Sequence, residues 1–216
     1  MTKETRLKLT EIFRSLQGEA DTVGIPTVFV RLTGCPLRCQ YCDTAYAFHG
    51  GQWWTLPEIL ARVAELEVRH VCVTGGEPLA QAAVHELLAA LCDVGYRVSL
   101  ETSGAMSLER VDPRVVKVVD IKTPASGEES RNRYDELARL DQKDLLKFVI
   151  ADRTDYEWSR EQLLQRRLDA RCTVLFSPSH GVLPPGTLAD WILEDRLPVR
   201  FQIQLHKYLW GDVPGR

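Results

Sequence analysis

The stretch "TGCPLRCQYCDTAY", residues 33–46, sets three cysteines, Cys35, Cys39 and Cys42, within eight residues. It follows directly on "PTVFVRL" (26–32), a β-branched and aromatic run that reads as a strand. Clustered thiols in a loop at a strand's end point to a metal. A structural zinc or an electron-transfer cluster normally takes four protein ligands. Three ligands leave one metal position open, and an open position can bind a substrate or cosubstrate. Zinc, with His49 or Asp43 completing its shell, is the alternative reading of the same spacing. The remaining cysteines, Cys72, Cys92 and Cys172, lie in apolar periodic segments and read as small core residues.

Outward from this loop the chain alternates strands and helices. Strands are expected at 70–76, 97–104, 115–122, 144–151, 171–178 and 199–206, and helices at 55–66, 80–95, 131–140, 154–168 and around 187–194. The helix at 55–66 opens with a capping box, Thr55 and Glu58, with Pro57 in its first turn. Such alternation predicts βα crossovers and a mostly parallel sheet. Six or seven βα steps fall short of a closed eightfold barrel, so the expected fold is α/β, an incomplete TIM-type barrel, in one domain over 1–216. Functional residues of such folds gather at the carboxyl ends of strands. Cys35, the Thr74-Gly75-Gly76-Glu77 turn, Glu101-Thr102-Ser103, Asp120-Ile121-Lys122 and Ser177 should therefore share one rim.

Composition narrows the class. A net charge of -3 on 216 residues gives no nucleic-acid signal. The opening "MTKETRLKLTEIF" alternates charged and apolar residues, so no signal peptide is expected, and no apolar run is long enough for a membrane span. The expected location is the cytoplasm, where clustered cysteines serve metal or redox chemistry rather than a disulfide framework.

"CPLRCQYC" resembles the signature of the radical S-adenosylmethionine (SAM) superfamily, and "TGGEP" (74–78) resembles that superfamily's second feature. The block "IFRSLQGEADTVGIPTVFVRLTGCPLRCQYCDT", with "VTGGEP", "ETSG", "DIKTP" and "HKY", is similar to the 7-carboxy-7-deazaguanine synthase family. The resemblance implies a radical SAM fold and a 4Fe-4S cluster on Cys35, Cys39 and Cys42, whose open iron chelates SAM. It implies a lyase that converts 6-carboxy-5,6,7,8-tetrahydropterin to 7-carboxy-7-deazaguanine with release of ammonia. It further implies Mg2+, a homodimer, and an external one-electron donor such as a flavodoxin.

Carried over residue by residue, the resemblance puts Leu16, Gln17, Gly18, Arg31 and Thr74 against the pterin. It puts Tyr41, Cys42, Asp43, Gly76, Ser103, Asp120, Ile121 and Lys122 against SAM, and makes Thr44 a Mg2+ ligand. The chemistry of these residues is compatible. An amide such as Gln17 both donates and accepts, as a pterin edge requires. Arg31 can hold a carboxylate by two parallel hydrogen bonds, or can pair with an internal carboxylate. Mg2+ needs more oxygens than one hydroxyl, so substrate and water would supply the rest. Asp43 and Thr44 also suit a plain turn. Ala20 stands where the family usually has glycine; a positive φ there would cost stability. His206 and Lys207 are expected at the end of the last strand, near the same rim. A glycyl-radical-enzyme activase and a zinc-stabilised binding protein remain competing readings at this level.

Overall fold

In the computed structural model, which describes residues 4–213 and 215, the strand ahead of the cysteine loop spans Pro26–Leu32 (β2). Its residues alternate. Val28, Val30 and Leu32 join the main hydrophobic core, while Thr27, Phe29 and Arg31 project to the opposite face. β2 begins a parallel series that continues through β4 (His70–Gly75), β5 (Arg97–Thr102), β6 (Val116–Ile121), β7 (Leu145–Ile150), β8 (Thr173–Pro178) and β9 (Arg200–Phe201). Two antiparallel strands, β1 (Arg6–Leu16) and β3 (Gln52–Thr55), extend the other side, giving the order β3-β1-β2-β4-β5-β6-β7-β8-β9. The nine-stranded sheet has two edges, so the barrel is incomplete, as the number of βα steps implied.

Helices α1 (Leu56–Ala64), α2 (Val84–Asp93), α3 (Arg153–Arg166) and α4 (Pro185–Glu194) pack their apolar residues, among them Ile59, Leu88, Leu163 and Leu188, into the main core against the sheet's outer face. The capping box of α1 forms as the sequence predicts: Thr55 Oγ1 accepts the Glu58 N–H, and the Glu58 carboxylate accepts the Thr55 N–H at 2.7 Å. Asp152 caps α3 by accepting the Asp155 N–H at 2.8 Å. On the inner face a second, smaller cluster of Val118, Leu145 and Leu175 closes around Ala20. The loop joining β1 to β2 thus reaches into the barrel and fills its base.

The alternating residues 6–16 form an antiparallel strand with one face half-exposed. Three expectations meet a different outcome. The helix expected at 131–140 is two 3₁₀ turns, Glu129–Arg131 and Tyr134–Arg139. There the buried Glu136 accepts the Leu108 N–H at 2.9 Å and pairs with Arg133 and Arg139, so tertiary partners fix the segment. Helix α2 starts late because Pro78–Ala80 forms a separate 3₁₀ turn. The last strand stops at Phe201, and residues Leu205–Trp210 form a short helix, α5. Gln202 leaves the ladder to accept the Ala20 N–H at 3.0 Å, and the Leu205 N–H reaches Gly18 O. The positive φ anticipated at Ala20 is present, at 65°. No described helix is long and apolar enough to cross a membrane.

Candidate active site

A cavity of about 650 Å³ opens at the carboxyl ends of the parallel strands. Cys35, Cys39 and Cys42 line it, all three partly accessible, whereas Cys72 and Cys172 are buried and Cys92 packs beside the core from α2. All six are free thiols. Burial pushes the three cavity thiols upward, Cys39 to about 11, and Lys122 opposes that shift in each. Iron would have to displace those protons, as coordination does. Among the described residues, no three His, Cys, Asp or Glu side chains converge as they would around one ion. Three accessible thiols in one cavity are the soft donors an iron–sulfur cluster takes, and three would leave one iron without a protein ligand.

The glycine turn after β4 packs directly on the cysteine loop. A Cβ on Gly76 would lie 2.2 Å from Gly34 O and 2.9 Å from Cys35 Cβ. The Gly76 N–H donates to Leu32 O, and the Glu77 N–H to Gly34 O at 2.8 Å. The glycine is thus demanded first by backbone meeting backbone. Glu77, fully buried, accepts from the Ser103 N–H at 2.7 Å, the Thr102 hydroxyl at 2.9 Å and the Leu79 N–H. It ties the ends of β4 and β5 together and so fixes the cavity wall beside the cysteines. The Ser103 hydroxyl is also engaged by Glu77.

Farther along the rim, Lys122 pairs with Asp120 at 3.2 Å, and Lys147 lies 3.6 Å from the same carboxylate oxygen. The Tyr41 hydroxyl meets Thr123 Oγ1 at 3.2 Å, which holds its ring against the wall. Burial raises Tyr41 to about 12, so the phenol stays protonated. On the β1–β2 side, Arg31 donates from Nε to Glu11 Oε1 at 2.7 Å, the internal carboxylate weighed as one reading. Its guanidinium also lies 5.9 Å from the rings of Phe13 and Tyr46. Only Nε is engaged among the described residues, leaving both terminal nitrogens available to a ligand. Thr74 donates to Glu101 at 3.1 Å.

Thr44 Oγ1 donates to Asp43 Oδ1 at 2.8 Å. Asp43 Oδ2 receives Lys207 at 3.0 Å and Gln204 at 3.1 Å. Burial would raise the Asp43 carboxyl, but Lys207 and these hydrogen bonds outweigh it and hold the group well below the usual carboxylate range. Lys207 and His206 therefore reach the cavity from α5 rather than from a strand end.

Of the residues expected from sequence, Leu16, Gln17, Arg31, Tyr41, Asp43, Thr44, Thr74, Gly76, Ser103, Asp120, Lys122 and the three cysteines line this cavity. Gly18 and Ile121 do not. Gly18 lies under the His206 ring, where a Cβ would fall 2.1 Å from Nδ1, and Ile121 is buried in the core. Glu101, expected on the rim, is in the cavity, whereas sequence reasoning missed Glu19, Lys147 and Gln204, which also line it. A lone lysine inside the apolar run "DLLKFVIA" was the available signal for Lys147.

The geometry accords with what the chain resembles. The Radical SAM superfamily matches residues 29–119. A 7-carboxy-7-deazaguanine synthase of Chlorobaculum tepidum is 44% identical over 214 residues, covering 98% of this chain and 97% of the relative. One from Koribacter versatilis is 44% identical over 219 residues, covering 94% and 97%. The chain belongs to the 7-carboxy-7-deazaguanine synthase family. The fold agrees with the crystal structure of QueE from Escherichia coli at TM-score 0.77 and 24% identity, covering 93% of this chain and 95% of that one. Membership makes it a radical SAM enzyme of the lyase class, with an iron–sulfur cluster and SAM as cofactors.

Proposed function

We propose that this enzyme contracts the ring of 6-carboxy-5,6,7,8-tetrahydropterin to give 7-carboxy-7-deazaguanine and ammonia, on the route to queuosine and related deazapurines. The observation that carries the reading is the convergence, in one cavity, of three free thiols, the Gly76 turn, and the polar set Gln17, Arg31 and Thr74. Neither a zinc-stabilised module nor an activase acting on a protein would need that second set.

When bound, the cluster on Cys35, Cys39 and Cys42 and its SAM would supply a 5′-deoxyadenosyl radical. The rest is what the chain's own residues do. Tyr41, Asp43, Gly76, Ser103, Asp120 and Lys122 would hold SAM, the lysine's charge suiting its carboxylate. The terminal nitrogens of Arg31 face the pterin carboxylate, and Gln17 meets the pterin's mixed donor and acceptor edge. Thr44 would offer its hydroxyl oxygen, the donor type that Mg2+ selects, and substrate and water oxygens would complete the shell. Orientation is the main contribution, because a radical attacks what lies nearest; the pterin C6 hydrogen must be that group. The walls that fix this geometry are held from behind by Glu77 and Glu11.

The enzyme acts as a single radical SAM domain, in a homodimer, in the cytoplasm, with an external flavodoxin-like electron donor. Six free thiols accord with a reducing compartment. Anaerobic incubation with SAM, Mg2+, a one-electron reductant and the pterin tests the reading. Mass spectrometry should detect the carboxylated deazapurine, with ammonia in equal amount. SAM cleavage with no deazapurine would overturn the substrate.

A further inference from the structure

Among the described residues five buried side-chain polar atoms lack a hydrogen-bond partner, and one of them, Asp120 Oδ1, belongs to a residue that lines the active-site cavity. Its companion Oδ2 faces Lys122 at 3.2 Å and Lys147 at 3.6 Å. The sheet register places Asp120 of β6 directly beside Lys147 of β7. Lys147 is nonetheless not bonded to its neighbour. Its Nζ sits 2.6 Å from Glu19 Oε2, in the loop that reaches up from the base. The shorter distance is a charge-assisted hydrogen bond; the longer one is attraction without a hydrogen bond. Glu19 is itself steadied on Oε1 by Gln204 at 2.9 Å. Burial acts against both charges, yet Lys147 keeps Glu19 below the usual carboxylate range, and Glu19, with Asp120 and Glu101, keeps Lys147 well above its ordinary value. The pair is ionised.

A buried carboxylate oxygen without a donor is costly unless something arrives to fill it. SAM brings such donors: two ribose hydroxyls and an ammonium. We propose that Lys147 is a positioning residue: tethered to Glu19, it stands off from Asp120 and leaves that cavity-lining carboxylate, its Oδ1 without a protein donor, as the acceptor for a SAM donor. This rests on the reading that SAM binds between Tyr41, Gly76 and Lys122. The consequence is a link between the two ligand sites. Glu19 belongs to the loop given to the pterin, yet its charge governs the acceptor given to SAM. With Glu19 neutral, Lys147 loses its tether and closes on Asp120, competing with SAM for the carboxylate.

The test is equilibrium SAM binding to the cluster-loaded, unreduced enzyme, by anaerobic calorimetry with no pterin present. Wild type, Glu19→Gln, Lys147→Met and the double variant form a cycle, with iron content and the melting curve checked for each. Lys147→Met should weaken SAM by about tenfold or more, the effect of a 1.4 kcal/mol misplacement. Glu19→Gln should weaken SAM in the wild-type background and add little once Lys147 is Met, since both act through one contact. Glu19→Gln preserves shape, so it decides the matter even where Lys147→Met fails to fold. Unchanged SAM affinity in Glu19→Gln, or losses that simply multiply in the double variant, would overturn the role of Lys147. A wild-type enzyme that binds no SAM would instead overturn the proposed function.

Discussion

Lys117 and Lys147 sit on neighbouring strands, both buried and both ion-paired, at opposite ends of the barrel. At the base, Lys117 Nζ meets Asp144 at 2.8 Å. Asp144, fully buried, also accepts the Lys117 N–H at 2.9 Å and the Asp141 N–H at 3.0 Å. Every oxygen there has a partner. At the rim, Lys147 shares its charge between Glu19 and Asp120, and Asp120 is left with an unmet oxygen. A closed network holds strands together. An open one costs stability by itself and makes sense when a ligand completes it. The same residue type in the same kind of strand thus does structural work at one end and prepares a site at the other.

Substitutions at the two ends can break or sharpen that contrast. The largest effect belongs to the rim: Cys35→Ser should abolish SAM cleavage and strip iron from the purified protein. Cys72→Ser, below the rim, should leave iron content unchanged; losing it would mean that the ligand set is misassigned. At the base, Asp144→Ala should cost about 3–5 kcal/mol of unfolding free energy in urea, because it strands Lys117 as a buried charge. Thr44→Ala should keep the cluster and SAM cleavage but lose Mg2+ stimulation, lowering product formation by about tenfold, or 1.4 kcal/mol. Unaltered Mg2+ dependence would remove Thr44 from the metal. The smallest effect is at Ala20. Glycine would relieve a left-handed φ worth about 1–2 kcal/mol but would give up a buried methyl worth about 0.8 kcal/mol. Ala20→Gly should therefore raise the melting temperature only slightly; a marked fall would show that the methyl contact dominates.

The same contrast explains what was legible in the sequence. The parallel strands and the helices of the main core announce themselves because burial on both faces enforces apolar runs, and α1 carries its capping box in plain view. The cysteine loop and the Gly-Gly turn are legible because metal chemistry and close backbone approach restrict residue choice. The edges are not. β3 is four residues long with Trp53 exposed, and the end of β9 is decided by Gln202 and Gln204 reaching across the fold to residues 19, 20 and 43. Period-2 alternation in "VRFQIQLH" could not reveal that its glutamines turn toward a loop about 180 residues earlier. Glu19 and Lys147 were missed for the same reason: each looks ordinary until the other, 128 positions away, is beside it.

The most direct test of the contrast is product formed per folded molecule for Asp144→Ala and Lys147→Met, assayed side by side with SAM, reductant, Mg2+ and pterin. Asp144→Ala should turn over like wild type once its unfolded fraction is discounted, and Lys147→Met should fall by about tenfold or more, or 1.4 kcal/mol. Equal loss in both variants would contradict the distinction between a closed base and an open rim.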